Sequence, residues 1–245
     1  MSAAWFHVDP LPEASESVTL DADEGRHAGS ARRLAAGDPI TLFDGRGRLA
    51  QATLEEASTR KSVVAHVDRV ETVPSPRPAL RLGAALPKGD RQSTLLSMAT
   101  QIGVQAWAPL HCNRSVARPG RHADERWQRI AVSACKQSRN AWLPECLPET
   151  RPADFCATEA RRGACLVLHP GRGAVPLVRA AADALATDPG SLTVVVGPEG
   201  GLDESEVRAC EDRGALRVSL GATILRSETA AVAALAILSG AVDAV

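Results

Sequence analysis

The residues best suited to chemistry lie in two stretches near the carboxyl end, Gly197-Pro198-Glu199-Gly200-Gly201 and Leu225-Arg226-Ser227-Glu228-Thr229. Glycines let backbone amides approach a ligand closely, and an arginine can hold a phosphate or a developing anion. Glu228 could orient Arg226 or act on a proton. Acids are also ordinary in a helix's first turn, and Ser227 or Thr229 could simply cap that helix. The glycine stretch is neither GxGxxG nor GxxxxGKS, so it lacks the residues that dinucleotide and P-loop chemistry require. Its other reading is a tight strand-to-helix turn followed by a capping box from Asp203 and Glu206. His27, His111 and His169, with Arg33, Lys88 and Arg114, are further candidates, and each has a plain reading as a loop, core or surface residue.

Each of the two stretches must be held by the elements before it. Residues 192–196 and 216–220 read as short apolar strands that run into glycine-containing loops and then helices. Loops at the carboxyl ends of such strands form the usual ligand crevice of an α/β sheet. Upstream, strand and helix signals alternate: strands at 80–86, 104–110 and 166–168, and helices around Leu95–Ile102, around Trp127–Cys135, and over 175–186. The first helix carries a stripe of Leu95, Leu96, Met98, Ala99 and Ile102 and is stopped by Gly103. The helix after Thr229 is almost wholly Ala, Val, Leu and Ile, which predicts burial on most sides and a dimer contact as a second partner.

The first seventy residues read differently. Strand candidates at 17–20, 39–43, 49–54 and 62–70, a turn at Asp44-Gly45-Arg46-Gly47 and a short helix over 24–34 suggest a small barrel. The three prolines of ETVPSPRP, residues 71–78, mark the boundary, giving domains 1–72 and 73–245.

The composition excludes several classes. The chain has 245 residues and a net charge of −1. It contains no apolar run of roughly eighteen residues and no secretory leader, so a cytoplasmic enzyme is expected. The six cysteines form no CxxC pair and no cluster at metal spacing, which argues against a disulfide framework and a metal site. Basic residues crowd residues 111–140 and acidic ones 183–212. This predicts one basic surface suited to a phosphate-bearing partner, or simply a solvated arginine-rich helix.

Taken together, VVVGPEGGLDESEV (194–207) and LGATILRSETAAVAAL (220–235) resemble the two cofactor-loop motifs of the RsmE family of SPOUT-class RNA methyltransferases. The resemblance extends to His27, Arg33 and Gly37-Asp38, to Leu42-Phe43-Asp44-Gly45, and to Lys88-Gly89, Ile102-Gly103-Val104, Arg114-Ser115, Trp127, Gln137-Ser138 and His169-Pro170. It departs at Met98 and Gln101, across Lys136–Asn140, and around Ala4-Trp5-Phe6.

The resemblance implies a PUA-like β-barrel domain followed by a SPOUT α/β domain with a C-terminal trefoil knot, acting as a homodimer. The activity implied is methylation of nitrogen 3 of a uridine in 16S ribosomal RNA, uridine 1498, with S-adenosylmethionine as methyl donor. The cofactor would be held by Leu168, His169, Gly197, Glu199, Gly200, Gly201, Leu220, Gly221, Ile224, Leu225 and Arg226. Arg226 and Glu228 would be catalytic. RNA contacts would fall to His27, Arg33, Lys88, Arg114, Ser115 and Gln137. Two other readings stay open: another SPOUT activity, on a ribose 2′-hydroxyl or a guanine, and a non-catalytic RNA-binding ribosome-assembly factor.

Overall fold

The computed structural model describes residues 3–20, 24, 34–55, 63–187 and 189–242. It divides into two compact units, residues 1–75 with 132–143, and residues 76–131 with 144–245.

The first unit is a five-stranded sheet of β1 (Ala4–His7), β2 (Ser17–Thr19), β3 (Pro39–Phe43), β4 (Arg48–Leu54) and β5 (Val64–Thr72), in the order β1-β3-β4-β5-β2. β1 runs parallel to β3 and the other pairs are antiparallel. The β3–β4 turn is fixed by Asp44, whose carboxylate accepts from the amides of Arg46 (2.7 Å) and Arg48 (3.1 Å). Phe6, Ile40, Leu42, Ala50, Ala65 and Val67 fill its core. The helix expected over 24–34, with His27 and Arg33, lies outside the described residues except at its two ends.

A returning segment, 132–143, completes this unit. Cys135, Ala141, Trp142 and Leu143 pack with Phe43 and Leu49. Lys136 Nζ reaches both carboxylate oxygens of Glu24, at 2.8 and 2.6 Å. A Cβ on Gly45 would strike Leu143 and one on Gly47 would strike Trp142, so the turn that reads locally as a hairpin signal is also a docking surface.

The second unit contains β6 (Ala79–Ala85), α1 (Arg91–Ile102), β7 (Ala106–Leu110), the start of α2 (Ala123–Ser138), β8 (Glu145–Cys146), α3 (Pro152–Glu159), β9 (Ala164–Leu168), β10 (Val175–Pro176), α4 (Leu177–Leu185), β11 (Ser191–Val196), α5 (Glu204–Glu211), β12 (Leu216–Ser219) and α6 (Ser227–Val242). Its seven strands are all parallel, in the order β10-β12-β9-β11-β6-β7-β8. Parallel sheets need both faces covered, and β11 is accordingly buried throughout, with Leu192, Val194, Val195 and Val196 apolar. α1, α4 and α6 cover one face, over Leu82, Leu192 and Val194, while α3 and α5 cover the other, over Val167 and Val195. Trp107 and Trp127 meet edge to face at 4.7 Å.

Two local expectations are corrected. Met98 is 45% exposed, because the pairs Leu95/Ala99 and Leu96/Thr100 take the buried face of α1. The helix expected from residue 175 begins at Leu177, since Val175–Pro176 pairs with β12 as a short edge strand. α6 buries Ala231, Ala234, Leu235 and Leu238 within the chain and leaves only Thr229, Ala236 and Gly240 exposed. Among the described residues no helix is long and apolar enough to cross a membrane.

Candidate active site

The sheet order brings three carboxyl ends together. Leu168 of β9 lies in register with Val196 of β11 on one side and Val218 of β12 on the other. The loops leaving these strands line one cavity of about 500 Å³. That volume lies in the usual range for a small-molecule site, at the position where open α/β sheets bind ligands.

The first wall is the glycine stretch. A Cβ at Gly197 would sit 2.8 Å from the amide nitrogen of Leu202, so this turn closes only with glycine. Gly201, at φ +70°, donates its amide to Pro198 O at 2.8 Å. The stretch is tied down from behind. Asp203 caps α5 by accepting from Glu206 N (2.9 Å), and Glu206 accepts in return from Asp203 N (3.0 Å). Asn113 donates its amide to Glu206 (2.7 Å) and its side-chain NH2 to Asp203 (2.8 Å). The Asn113 side chain, with Ser205 and the Glu206 backbone amide, holds the Asp203 carboxyl well below the usual carboxylate range. Nearby Cys112 is pushed up to about 12, first by burial and then by the Glu206 charge, so it stays a neutral thiol.

The second wall is the segment from Leu220 to Arg226. Ile224 is 90% exposed and Leu225 37%, large apolar side chains left at the lip of a cavity that a ligand would cover. His169 closes the floor, its Nε2 3.9 Å from Glu204, whose pKa is lowered chiefly by Arg217.

All the residues expected to hold the cofactor line this one cavity: Leu168, His169, Gly197, Glu199, Gly200, Gly201, Leu220, Gly221, Ile224, Leu225 and Arg226. Glu228 is placed differently from the expectation that it orients Arg226. Its carboxylate meets Arg91 Nη1 at 3.6 Å and accepts from Ser227 Oγ at 3.3 Å. Arg226 forms no ion pair among the described residues. The cause is the register of α6, which points residue 228 back toward the start of α1.

The expected RNA contacts divide. Lys88 and Gln137 are exposed. Arg114 lines the cavity and donates Nη1 to Gly200 O at 2.8 Å. Ser115 accepts from Cys112 N at 3.0 Å and so shapes its own loop. His27 and Arg33 lie outside the described residues. The expected basic surface is partly neutralised, with Arg118 on Glu149 and Lys136 on Glu24. Sequence reasoning missed Arg91, Asn113 and Thr223. Arg91 alone left a trace, a cation in a helix's first turn where the dipole disfavours it. Among the described residues no group of three or more His, Cys, Asp or Glu is placed to hold a metal.

Two family models match the chain, an RNA methyltransferase domain over residues 74–239 and an RNA methyltransferase PUA domain over residues 20–68. The ribosomal RNA small subunit methyltransferase E of Mycobacterium bovis is 38% identical, over 96% of this chain and 90% of that protein. The chain belongs to the RsmE family of SPOUT-class RNA methyltransferases. The RsmE relative of Synechocystis is 30% identical over 94% of this chain and 75% of its own length. Among solved structures, the Neisseria gonorrhoeae RsmE bound to S-adenosyl methionine superposes with a TM-score of 0.87 at 27% identity, covering 98% of both chains. With its PUA domain and parallel α/β domain, this RsmE-family chain has the architecture that the motifs implied.

Proposed function

We propose that the chain transfers a methyl group from S-adenosylmethionine to nitrogen 3 of a uridine in 16S ribosomal RNA, uridine 1498 by resemblance. The observation that carries this reading is the convergence of the family's cofactor-loop residues on one cavity at the carboxyl ends of β9, β11 and β12. The cavity fits the cofactor on its own terms. Gly197 leaves a cradle that a side chain would fill, and Leu168, Val196 and Leu220 give an apolar floor. Bound there, S-adenosylmethionine would supply an electrophilic methyl group.

The chain's own residues supply binding and charge. Backbone groups of the glycine turn and of residues 220–225 hold the ligand in place, so catalysis rests largely on proximity. Uracil nitrogen 3 is a poor nucleophile until its proton leaves, and negative charge then develops on the base. Arg226, which forms no ion pair among the described residues, offsets that charge. Glu228 either accepts the proton or sets the start of α6. Lys88, Arg114, Ser115 and Gln137, with His27 and Arg33, contact the RNA. The knotted carboxyl end and a homodimer belong to the same reading. For the dimer, α6 leaves Val232 and Ile237 only partly covered within the chain.

The test is methyl transfer from labelled S-adenosylmethionine to small ribosomal subunits from a strain lacking this protein, followed by nucleoside mass spectrometry. 3-Methyluridine at one site is expected, with sedimentation of the enzyme giving the mass of two chains. A 2′-O-methylated nucleoside or a methylguanosine would move the assignment to another SPOUT activity. Tight subunit binding without transfer would make the chain an assembly factor.

A further inference from the structure

Arg91 is the first residue of α1, and nothing local explains it. A helix amino terminus carries partial positive charge, so a guanidinium there is disfavoured, and Asp90 before it makes no side-chain capping bond. Local preferences are most often broken where a tertiary contact demands it. The contacts here are two carboxylates from separate parts of the chain. Arg91 Nη2 lies 3.2 Å from Glu199 Oε1, in the glycine stretch, and Nη1 lies 3.6 Å from Glu228 Oε1, in the first turn of α6. The first segment is one wall of the cavity, and the second follows directly on the other wall, Leu220 to Arg226.

The setting makes the contact more than a surface ion pair. Arg91 is 34% exposed and the Glu228 side chain 13%, so the Glu228 carboxylate has little water to turn to. α1 itself packs on α6, so the guanidinium is carried by a rigid neighbour. A planar fork can address two carboxylates at once, whereas an ammonium is a point charge. With Glu228 turned toward Arg91, Arg226 has no carboxylate partner among the described residues.

We propose that Arg91 is a positioning residue for methyl transfer: it ties Glu199 of the glycine turn to Glu228 of α6, fixes the separation of the cavity walls, and keeps Glu228 from neutralising Arg226. It acts through those carboxylates and touches neither substrate nor cofactor. This inference rests on the proposed function for its kinetic consequence, while the tie between the walls stands without it.

The test uses the full chain with Arg91→Met, Arg91→Lys, Glu228→Gln and the Arg91→Met/Glu228→Gln double variant. Hydrogen exchange without cofactor reads the tie directly. Peptides covering 197–203 and 219–230 should exchange about threefold faster or more in Arg91→Met, with β7 and β11 unchanged. In methyl transfer to small subunits, Arg91→Met should lose about tenfold or more in kcat with KM changed less than about threefold. Arg91→Lys should recover less than about half of that loss, since it cannot span both partners. In the Glu228→Gln background, Arg91→Met should cost no more than about twofold further.

Wild-type exchange in both peptides, full rescue by lysine, or additive losses in the double variant would overturn the proposal. Should Arg91→Met fail to fold, Arg91→Lys carries the test, and wild-type exchange with wild-type kcat there overturns it equally. A wild-type enzyme that transfers no methyl group would overturn the proposed function instead, and the exchange result would still judge the tie.

Discussion

Arg226 and Arg91 are both arginines beside the same cavity, and their surroundings give them different work. Arg91 is held between two carboxylates, whereas Arg226 lines the cavity and is exposed without an ion pair among the described residues. A cation left unpaired beside backbone-lined walls is available to a charge that appears during reaction. Arg226→Ala is therefore expected to lower kcat by about a hundredfold or more while S-adenosylmethionine affinity falls less than about fivefold, because most of the cavity wall is untouched. Calorimetry with the cofactor, beside single-turnover methyl transfer, separates these, and near-normal turnover would remove Arg226 from the chemistry. The sequence marked Arg226 because the motif around it is local. It did not mark the partner of Glu228, which lies more than a hundred residues away along the chain and was reached only when α1 packed on α6.

The turn into α5 shows what an element can carry in its own sequence. Asp203 and Glu206 stand three residues apart before an apolar position, and the capping box forms as that spacing predicts. Its titration, however, depends on Asn113 from the loop after β7. Asn113 first, then Ser205 and the Glu206 amide, depress the folded-state pKa of Asp203. A depressed carboxyl contributes stability that is present above its unfolded pKa, about 4, and is lost as pH falls through the folded value. Glu204, lowered chiefly by Arg217, acts in the same direction. Thermal melts between about pH 6 and pH 3 should thus fall more steeply for the wild type than for Asp203→Asn, which keeps a good cap but does not titrate. Equal slopes would show that the cap is not linked to pH. Other elements were less legible. Helix α3 is short and opens on Pro152, and β1 is only four residues long, too little sequence for a period to declare itself. Met98 broke the apparent stripe on α1, since Leu95, Leu96, Ala99 and Thr100 already covered the width of the buried face.

At the scale of the whole α/β unit, one buried ion pair joins strand and helix. Arg81 of β6 and Glu159 of α3 meet through two hydrogen bonds, with side-chain exposures of 11% and 1%. Thr193 of β11 donates to the same carboxylate at 3.2 Å, and Arg162 lies 3.7 Å away. Removing one partner leaves the other charge buried without compensation. Glu159→Gln should therefore cost about 3 kcal/mol or more in urea unfolding, whereas joint replacement by Arg81→Met and Glu159→Leu should recover most of it. A loss under about 1 kcal/mol for the single change would mean that water reaches the pair. No pattern in the sequence pointed to this pairing, because Arg81 sits inside an apolar strand and Glu159 at the end of an unremarked helix.

By itself the sequence determined what is local: glycines where a backbone turn has no room for a side chain, the α5 capping box, apolar strands running into loops, and motifs dense enough to identify the family. The tertiary structure decided which of these became neighbours. β11 enters between β9 and β6, and β12 lies outside β9, so loops distant in the chain share one cavity. Hydrophobic periodicity specifies which face of a strand is buried and not which strand lies beside it. The same reason hid the return of residues 132–143 to the first unit, where glycines at 45 and 47 receive Leu143 and Trp142. It hid Arg91 as well, whose two carboxylate partners are set by helix packing rather than by spacing along the chain.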